Sequence, residues 1–397
     1  MKVLLRYCLV ISGVVPLMMF FISCTNIKVE IVDSPTTIDA GSVKKPVVKV
    51  FLENSGSMDG FMCDGSELKD GMYNYLTTVK DICSKMELYY INSETKKQEV
   101  SLSQYIRNLN PTDFKKAGGS RAFTDIPDLF ARVLKSVGSD TIAIYISDCI
   151  LDIQNHSAPN FLNITKTDMH SVFGEKIAKM NDLAVCVYQL ESFFNGTFYF
   201  PKGGLTPYKG RLPYYMILIG SSQQLANLRE NVSDKEITHG VRNYLSFSPS
   251  FEVPAVLLQG NKPQKSLELN TKKNDRYHFN VGVNLNMSLE TNKVLSNPQN
   301  YSLTTPSKIQ IESILPVTAH NSKFSHIIEF NVADEAFGNV VTLRRLPVPL
   351  WVKESNDSQG SSIIPGKTFG IEYILTGISE AFKDKSIATF KLNIKKQ

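Results

Sequence analysis

Histidine is scarce in this chain, and its positions do not follow the spacing of metal ligands. The 397 residues include six histidines, and no His-Glu-x-x-His sequence occurs, so a zinc hydrolase is not indicated. A Gly-x-Ser-x-Gly elbow is also missing, because position 55 is serine where glycine would precede Ser57. No Gly-Lys-Ser or Gly-Lys-Thr follows the glycines of AGGSRAF (117–123), which favours a plain loop there. We therefore expect scattered surface or core histidines.

Cysteine is too sparse for a disulfide-bonded scaffold. Of six cysteines, four follow the N-terminal segment, and they are widely separated: Cys63, Cys83, Cys149 and Cys186. Cys149 and Cys186 lie on or next to predicted core strands, which predicts buried thiols. A Cys63–Cys83 bridge stays open, although the spacing gives it no support.

The chain also lacks a strong excess of either charge. Lysine and arginine number 43 against 38 acidic residues, a net charge of +5. Loss of residues 1–23 would remove Lys2 and Arg6 and lower the charge to +3. This balance gives no electrostatic footprint for a nucleic acid. A hydrophobic content of 42% and a length of 397 residues are typical of a globular protein with two folded units.

The N-terminal residues have the features of a secretion signal. Lys2 and Arg6 precede the apolar run CLVISGVVPLMMFFIS, and a small residue stands directly before Cys24. This arrangement resembles the lipobox of bacterial lipoproteins, which implies a signal peptide over 1–23 and a lipid on Cys24. An uncleaved anchor helix is the alternative, which Pro16 and the short run disfavour. Both readings place the folded part outside the cytoplasm, in the cell envelope.

Residues 24–45 are polar and contain turn formers, so we expect a tether. Strand and helix patterns then alternate over 46–235. The predicted strands are 46–53, 86–92, 141–147, 183–190 and 214–220, and apolar residues recur at helical spacing over 68–82, 126–137, 169–180 and 221–231. This alternation predicts an α/β fold with a doubly wound, mostly parallel sheet.

A different pattern follows this α/β region. Residues 236–249 are expected to be a linker, and 250–397 a β-rich, sandwich-like domain with one C-terminal helix. The insert 191–213 is expected to form a hairpin beside the sheet edge. Its aromatic residues either pack on the protein or form a recognition patch, and packing is favoured.

Three loops at predicted strand ends carry oxygen donors. They are ENSGS (53–57), GGSRAFTDIP (118–127) and SDC (147–149). In an open parallel sheet, ligands bind outside the carboxyl ends of the strands. The donors that could converge there are Glu53, Ser55, Ser57, Thr124 and Asp148. Carboxylates and hydroxyls suit Mg²⁺ or Mn²⁺, while serine and threonine in turns can equally cap helices without any metal.

At this point the sequence resembles the von Willebrand factor type A (vWA) family. Its metal-ion-dependent adhesion site (MIDAS) reads Asp-x-Ser-x-Ser, with a distant threonine and a distant aspartate. Glu53 stands at the first aspartate, Ser55 and Ser57 at the serines, Thr124 at the threonine and Asp148 at the last aspartate. The resemblance covers 46–235 and implies a cation that a partner's acidic group completes.

This chain departs from the family motif at two positions. Glu53 has a side chain one methylene longer than aspartate, and Cys149 replaces the usual glycine after Asp148. If Glu53 does not reach the cation, Asp59 and Asp125 are nearby substitutes. The motif therefore predicts the fold more directly than it predicts metal binding.

Three functions follow from these features. The first is a membrane-tethered, non-enzymatic binding or adhesion protein that contacts a protein or other acidic ligand through the cation. The second is a structural or assembly lipoprotein of the envelope whose vWA-like region holds no metal. The third and least favoured is an envelope hydrolase that uses the cation to activate water, because no base or nucleophile pattern accompanies the site.

Overall fold

The structure is a computed structural model that describes residues 26–32, 44–122, 125–153, 157–318 and 323–397. The predicted signal peptide (1–23), Cys24 and Thr124 lie outside the described residues. In the described part, no helix is both long enough and apolar enough to span a membrane.

The chain is an α/β protein with several sheets. The strands are β1 (Ile27–Val32), β2 (Val47–Glu53), β3 (Lys85–Ile91), β4 (Thr95–Gln98), β5 (Thr141–Ser147), β6 (Leu183–Tyr199), β7 (Leu205–Ser221), β8 (Asn243–Phe247), β9 (Phe251–Glu252), β10 (Ala255–Gln259), β11 (Lys262–Gln264), β12 (Ser266–Leu269), β13 (Tyr277–Val283), β14 (Tyr301–Leu303), β15 (Ile309–Pro316), β16 (His326–Val332), β17 (Ala336–Arg344), β18 (Asn356–Asp357), β19 (Thr368–Phe369) and β20 (Ser386–Lys396). The α-helices are α1 (Glu67–Ile82), α2 (Leu102–Arg107), α3 (Pro111–Lys115), α4 (Ile126–Lys135), α5 (Ala158–Lys179), α6 (Ser222–Asn231), α7 (Asn292–Leu295), α8 (Leu350–Glu354) and α9 (Ile371–Ala381). Short 3-10 helices span Ser57–Met62, Asp234–Glu236, Asn286–Ser288 and Pro298–Asn300.

The largest sheet has seven strands in the order β4-β3-β2-β5-β7-β6-β8. Only β2 pairs in parallel, with β3 on one side and β5 on the other, and the remaining pairings are antiparallel. The prediction of a mostly parallel sheet is therefore wrong, and the sheet is mixed. The reason is that β6 and β7 form a hairpin instead of being joined by a crossover helix.

The insert 191–213 forms the predicted hairpin, as the outer halves of β6 and β7, but these two strands lie inside the sheet and not beside its edge. β7 lies inside the sheet, between β5 and β6, because its second half is a continuous buried run that needs a strand on each side. The outer halves of β6 and β7 leave the sheet as a two-stranded ribbon. β8 (Asn243–Phe247), from the predicted linker 236–249, pairs with the inner half of β6.

Helices cover both faces of the seven-stranded sheet. Val48, Val50 and Leu52 of β2 join the core under α1, α2, α3 and α6, while Phe51 joins the core under α4, α5 and α9. Alternate side chains of one strand thus enter opposite cores, as a strand covered on both faces requires. This packing fixes the strand ends that carry the predicted site.

β18 and β19 form a small parallel sheet of two strands. The other strands form two antiparallel-rich sheets around a common hydrophobic core. One has the order β12-β1-β20-β17-β14, with β9 beside β20, and the other has the order β11-β10-β13-β16-β15. β1 (Ile27–Val32) lies in the segment 24–45 that was predicted to be a tether, and it pairs with β20. That long-range pairing, which the local composition does not reveal, corrects the prediction for these residues.

The predicted C-terminal helix is present as α9, but it does not pack on the β-rich sheets. Its apolar side chains join the core beneath α4 and α5. Gly377 lies so close to α5 that an added Cβ would be 2.5 Å from the carbonyl oxygen of Lys166. Residues 371–381 therefore complete the seven-stranded sheet's helical layer, although they follow the β-rich region in sequence.

Candidate functional site

The first loop of the site follows directly from the buried strand β2. Glu53 ends the strand, and the 3-10 helix Ser57–Met62 begins four residues later. Ser55 Oγ and Ser57 Oγ are 2.9 Å apart and hydrogen-bonded. Met58, Phe61 and Met62 are fully buried, so their burial holds the short helix in place and fixes both serines.

The β6–β7 ribbon covers this loop. Phe61 and Phe194 pack edge to face with centroids 5.1 Å apart. Gly60 allows the contact, because a Cβ there would be 2.2 Å from the Phe194 ring, and Gly196 lies against Gly60 in turn. The close approach of the backbones thus depends on two glycines.

The second loop is joined to the first by hydrogen bonds. Gly56 N donates to Arg121 O at 3.1 Å, and the Arg121 guanidinium donates to Ser55 O at 2.9 Å and Asn54 Oδ1 at 2.5 Å. Asn54 Nδ2 donates to Phe114 O at 2.8 Å. Arg121 is therefore the residue that fixes the two loops together, and it stands three positions before Thr124, which lies outside the described residues.

Neither predicted substitute for Glu53 is available. Asp59 forms a salt bridge with Arg121 and lies 3.6 Å from Lys115 Nζ. Asp125 accepts a hydrogen bond from Asp128 N at 3.1 Å and so caps the N-terminus of α4. Both carboxylates already have structural roles.

The third loop places Asp148 at the end of β5. Its side chain is buried, and Oδ1 accepts a hydrogen bond from Ile150 N at 3.2 Å. Oδ2 has no hydrogen-bond partner among the described residues. Cys149 follows with φ +54°, the left-handed conformation that glycine adopts most easily. The backbone here keeps that conformation although the residue is cysteine.

Glu53 faces β5 and is held by hydroxyl groups. Its Oε2 accepts a hydrogen bond from Tyr145 Oη at 3.2 Å and another from Ser147 Oγ. Ser147 Oγ in turn accepts from Cys149 N at 2.7 Å. Tyr145 and Ser147 were expected only as members of a buried strand. A polar residue at each of two alternate positions of that apolar strand was the available signal.

The pKa of Asp148, in the third loop, depends on two residues of the first loop. Burial and, after it, the negative charge of Glu53 raise the pKa of Asp148 to about 7. Hydrogen bonding to the Ser57 side chain and to the Ile150 amide opposes the shift. Glu53, Ser57 and Asp148 thus interact directly, and Ser55 contacts Ser57. No salt bridge to Asp148 occurs among the described residues.

Access to the site is narrow. Glu53, Ser55 and Asp148 are each less than 5% exposed, whereas Ser57 is partly exposed. The Tyr199 ring lies against Gly56 at the same edge and is 42% exposed. The ribbon aromatics therefore divide between the two predicted roles, since Phe194 is buried beneath the site and Tyr199 is open to solvent.

Two of the cysteines are buried thiols, as predicted. Cys149 and Cys186 are fully buried and free. Cys63 and Cys83 are free as well, so the bridge between them is absent.

The chain was compared with family models, curated proteins and solved structures. None of them matches it.

Proposed function

We propose that this chain is an extracytoplasmic binding protein that holds Mg²⁺ or Mn²⁺ with Ser55, Ser57 and Asp148 and contacts an acidic ligand through the cation. The supporting observation is the buried Asp148 Oδ2, which has no hydrogen-bond partner among the described residues although the side chain interacts with the Ser57 hydroxyl and the Glu53 carboxylate. Such an atom is costly to bury unless a positive charge completes its environment.

The donor set fits a small hard cation. Carboxylate and hydroxyl oxygens are the ligands that Mg²⁺ and Mn²⁺ take, with waters in the remaining positions. When bound, the cation would offer one of those positions to a carboxylate of the ligand. Glu53 holds its place through Tyr145 and Ser147, so we infer that it contributes charge to the site. Thr124 stays part of the proposal through the sequence motif alone.

The resemblance to the vWA family and the cellular location of the protein belong to the same proposal. The vWA-like assignment rests on the motif from Glu53 to Asp148 and on strands alternating with helices on both faces of one sheet. The mixed strand order limits the likeness to the strands β2, β3 and β5. Secretion and the lipid anchor on Cys24 rest on the N-terminal sequence, and we infer a second, β-rich domain from the separate core shared by two sheets.

A second candidate is a structural envelope lipoprotein without a metal. It is favoured by the burial of Glu53, Ser55 and Asp148 and by the hydroxyls that already satisfy Glu53. In that case Asp148 would be protonated in about half of the molecules at pH 7, since its pKa is raised to about 7.

Calorimetric titration of the full chain with Mn²⁺ separates the two candidates. We expect one bound ion in the wild type and at least about tenfold weaker binding for Ser57→Ala, because one of the oxygen ligands is removed. Ser103→Ala on α2, another partly exposed serine, is the matched control and should bind as the wild type does. Absence of binding at millimolar Mn²⁺, or an unchanged affinity in Ser57→Ala, would eliminate the metal-dependent function.

A further inference from the structure

A second group of potential metal ligands lies on the five-stranded sheet β11-β10-β13-β16-β15. His278 is on β13, Glu329 on β16 and Glu312 on β15, which are three neighbouring strands. One ligand atom from each residue lies within 4.8 Å of the other two. This group is separate from the site at the end of β2 and does not depend on the function proposed for it.

A β-bulge brings Glu312 to this face. The register of β15 against β16 shifts between Ile311 and Ser313. Ser313 Oγ donates a hydrogen bond to Glu329 Oε2 at 3.0 Å, and Glu312 Oε2 lies 2.9 Å from His278 Nδ1. Two consecutive residues of β15 therefore reach the same polar cluster, whereas neighbours on a regular strand face opposite sides.

The hydrogen bonds of His278 leave one nitrogen for a cation or a proton. Nε2 lies 3.3 Å from Lys273 O, and because a carbonyl oxygen can only accept, this contact is a hydrogen bond in the tautomer that carries its hydrogen on Nε2. Nδ1 then faces the carboxylate of Glu312, which also only accepts. A neutral imidazole would direct a lone pair at a negative oxygen, so a positive species belongs at Nδ1. Metal-binding histidines often show this arrangement, with the other ring nitrogen held by a carbonyl.

The charge of the cluster matches a divalent ion. Glu312 and Glu329 contribute two negative charges, and a neutral His278 contributes none. Arg276 directly precedes β13. Its guanidinium donates to Asn331 Oδ1 at 2.6 Å and to Lys308 O at 3.2 Å, and not to either carboxylate of the cluster. The side chains of His278 and Glu312 are 24% and 43% exposed, so an ion can reach them from solvent.

We propose that His278, Glu312 and Glu329 form a Zn²⁺ site. One imidazole nitrogen and two carboxylate oxygens suit Zn²⁺, and water would complete a four-coordinate shell. Mg²⁺ is a poorer candidate here, because it prefers an all-oxygen environment. The two proposed sites thus differ in the metal that each selects.

The test is a zinc titration of the chelator-treated full chain with excess Mg²⁺ present, so that the hard-cation site is already occupied. We expect one zinc ion in the wild type and at least about tenfold weaker binding in His278→Gln and in Glu329→Gln. His170→Gln, a partly exposed histidine on α5, is the matched control and should keep the wild-type affinity. Thermal unfolding of the zinc-free variants shows whether each remains folded.

A parallel titration with Co²⁺ identifies the ligands. Visible absorption without intense thiolate bands is expected, because the proposed ligands are nitrogen and oxygen. Strong thiolate bands would assign the metal to a cysteine and overturn the proposal. It would also fail if the wild type bound no zinc, or if His278→Gln and Glu329→Gln bound it as tightly as the wild type. The proposal would also fail if ¹⁵N resonances of the folded wild type showed that His278 keeps both ring protons when zinc is added.

Discussion

Glu53 and Asp148 at the end of the seven-stranded sheet differ from Glu312 and Glu329 on the five-stranded sheet mainly in burial. The first pair is almost completely buried, whereas the second is partly exposed and has His278 beside it. Two carboxylates in water repel each other weakly, but burial strengthens their repulsion and favours a bound proton. The cost of holding two negative charges together therefore differs greatly between the two places.

The difference also determines what each pair can bind. Hydroxyls of Ser55, Ser57, Tyr145 and Ser147 surround the buried pair, so its environment consists of oxygen. The exposed pair includes an imidazole nitrogen. Hard cations suit the first environment and zinc suits the second.

The largest effect should come from removing the buried charge with Asp148→Asn. A folded-state pKa of about 7, against an ordinary value near 3.9, means that the unfolded chain loses its proton first as the pH rises. The folded state of the wild type therefore loses stability between about pH 4 and pH 7. We expect the variant to raise the free energy of unfolding at pH 8 by on the order of 4 kcal/mol and to change it little at pH 4.

Urea unfolding at pH 4 and pH 8, in the presence of a chelator, measures this difference. Asp64→Asn is the control, because Asp64 is an exposed aspartate close to the same loop. A variant that is less stable than the wild type at pH 8 would contradict the expected repulsion between Glu53 and Asp148.

A smaller effect is expected for Tyr145→Phe. The change removes the hydroxyl that donates to Glu53 Oε2 at 3.2 Å and leaves the ring in place. Loss of a buried hydrogen bond to a charged group should lower the free energy of unfolding by about 1–2 kcal/mol. Tyr73→Phe, at a 40% exposed tyrosine, should change it by less than about 0.5 kcal/mol. Equal effects of the two substitutions would show that Glu53 does not depend on Tyr145.

The smallest effect is expected at the exposed pair. Glu312→Gln removes a carboxylate whose side chain is 43% exposed, and exposed ion pairs contribute little to folding. In zinc-free protein we expect the free energy of unfolding to change by less than about 1 kcal/mol. The same urea experiment checks it, and a loss above about 2 kcal/mol would contradict the small contribution expected of an exposed ion pair.

The sequence was sufficient to locate the buried site because its parts are local. β2 and β5 are continuous apolar runs, and the residues that end them are polar, so Glu53, Ser55, Ser57 and Asp148 could be placed at one edge before the structure was known. The hydroxyls that position Glu53 were not predicted, since Tyr145 and Ser147 belong to the strand pattern itself. Metal binding stays a prediction.

Features that depend on distant pairing could not be predicted. The cluster of His278, Glu312 and Glu329 joins residues on three strands, and the bulge beside Glu312 has no local pattern. β7 enters the sheet between β5 and β6 because of contacts that a hairpin pattern does not specify. Residues 27–32 stand in a mostly polar segment, and nothing local specifies that they pair with β20 near the other end of the chain.

The path of the chain has a consequence for anyone who wishes to divide this protein. Within the described residues, it runs from β1 to the seven-stranded sheet, returns to the β-rich sheets, contributes α9 to α5 and then forms β20 beside β1. A cut near residue 250 would leave one fragment without α9 and the other without β1. Each fragment would expose an apolar surface, so the two halves are expected to be recovered by co-expression and not as separate products.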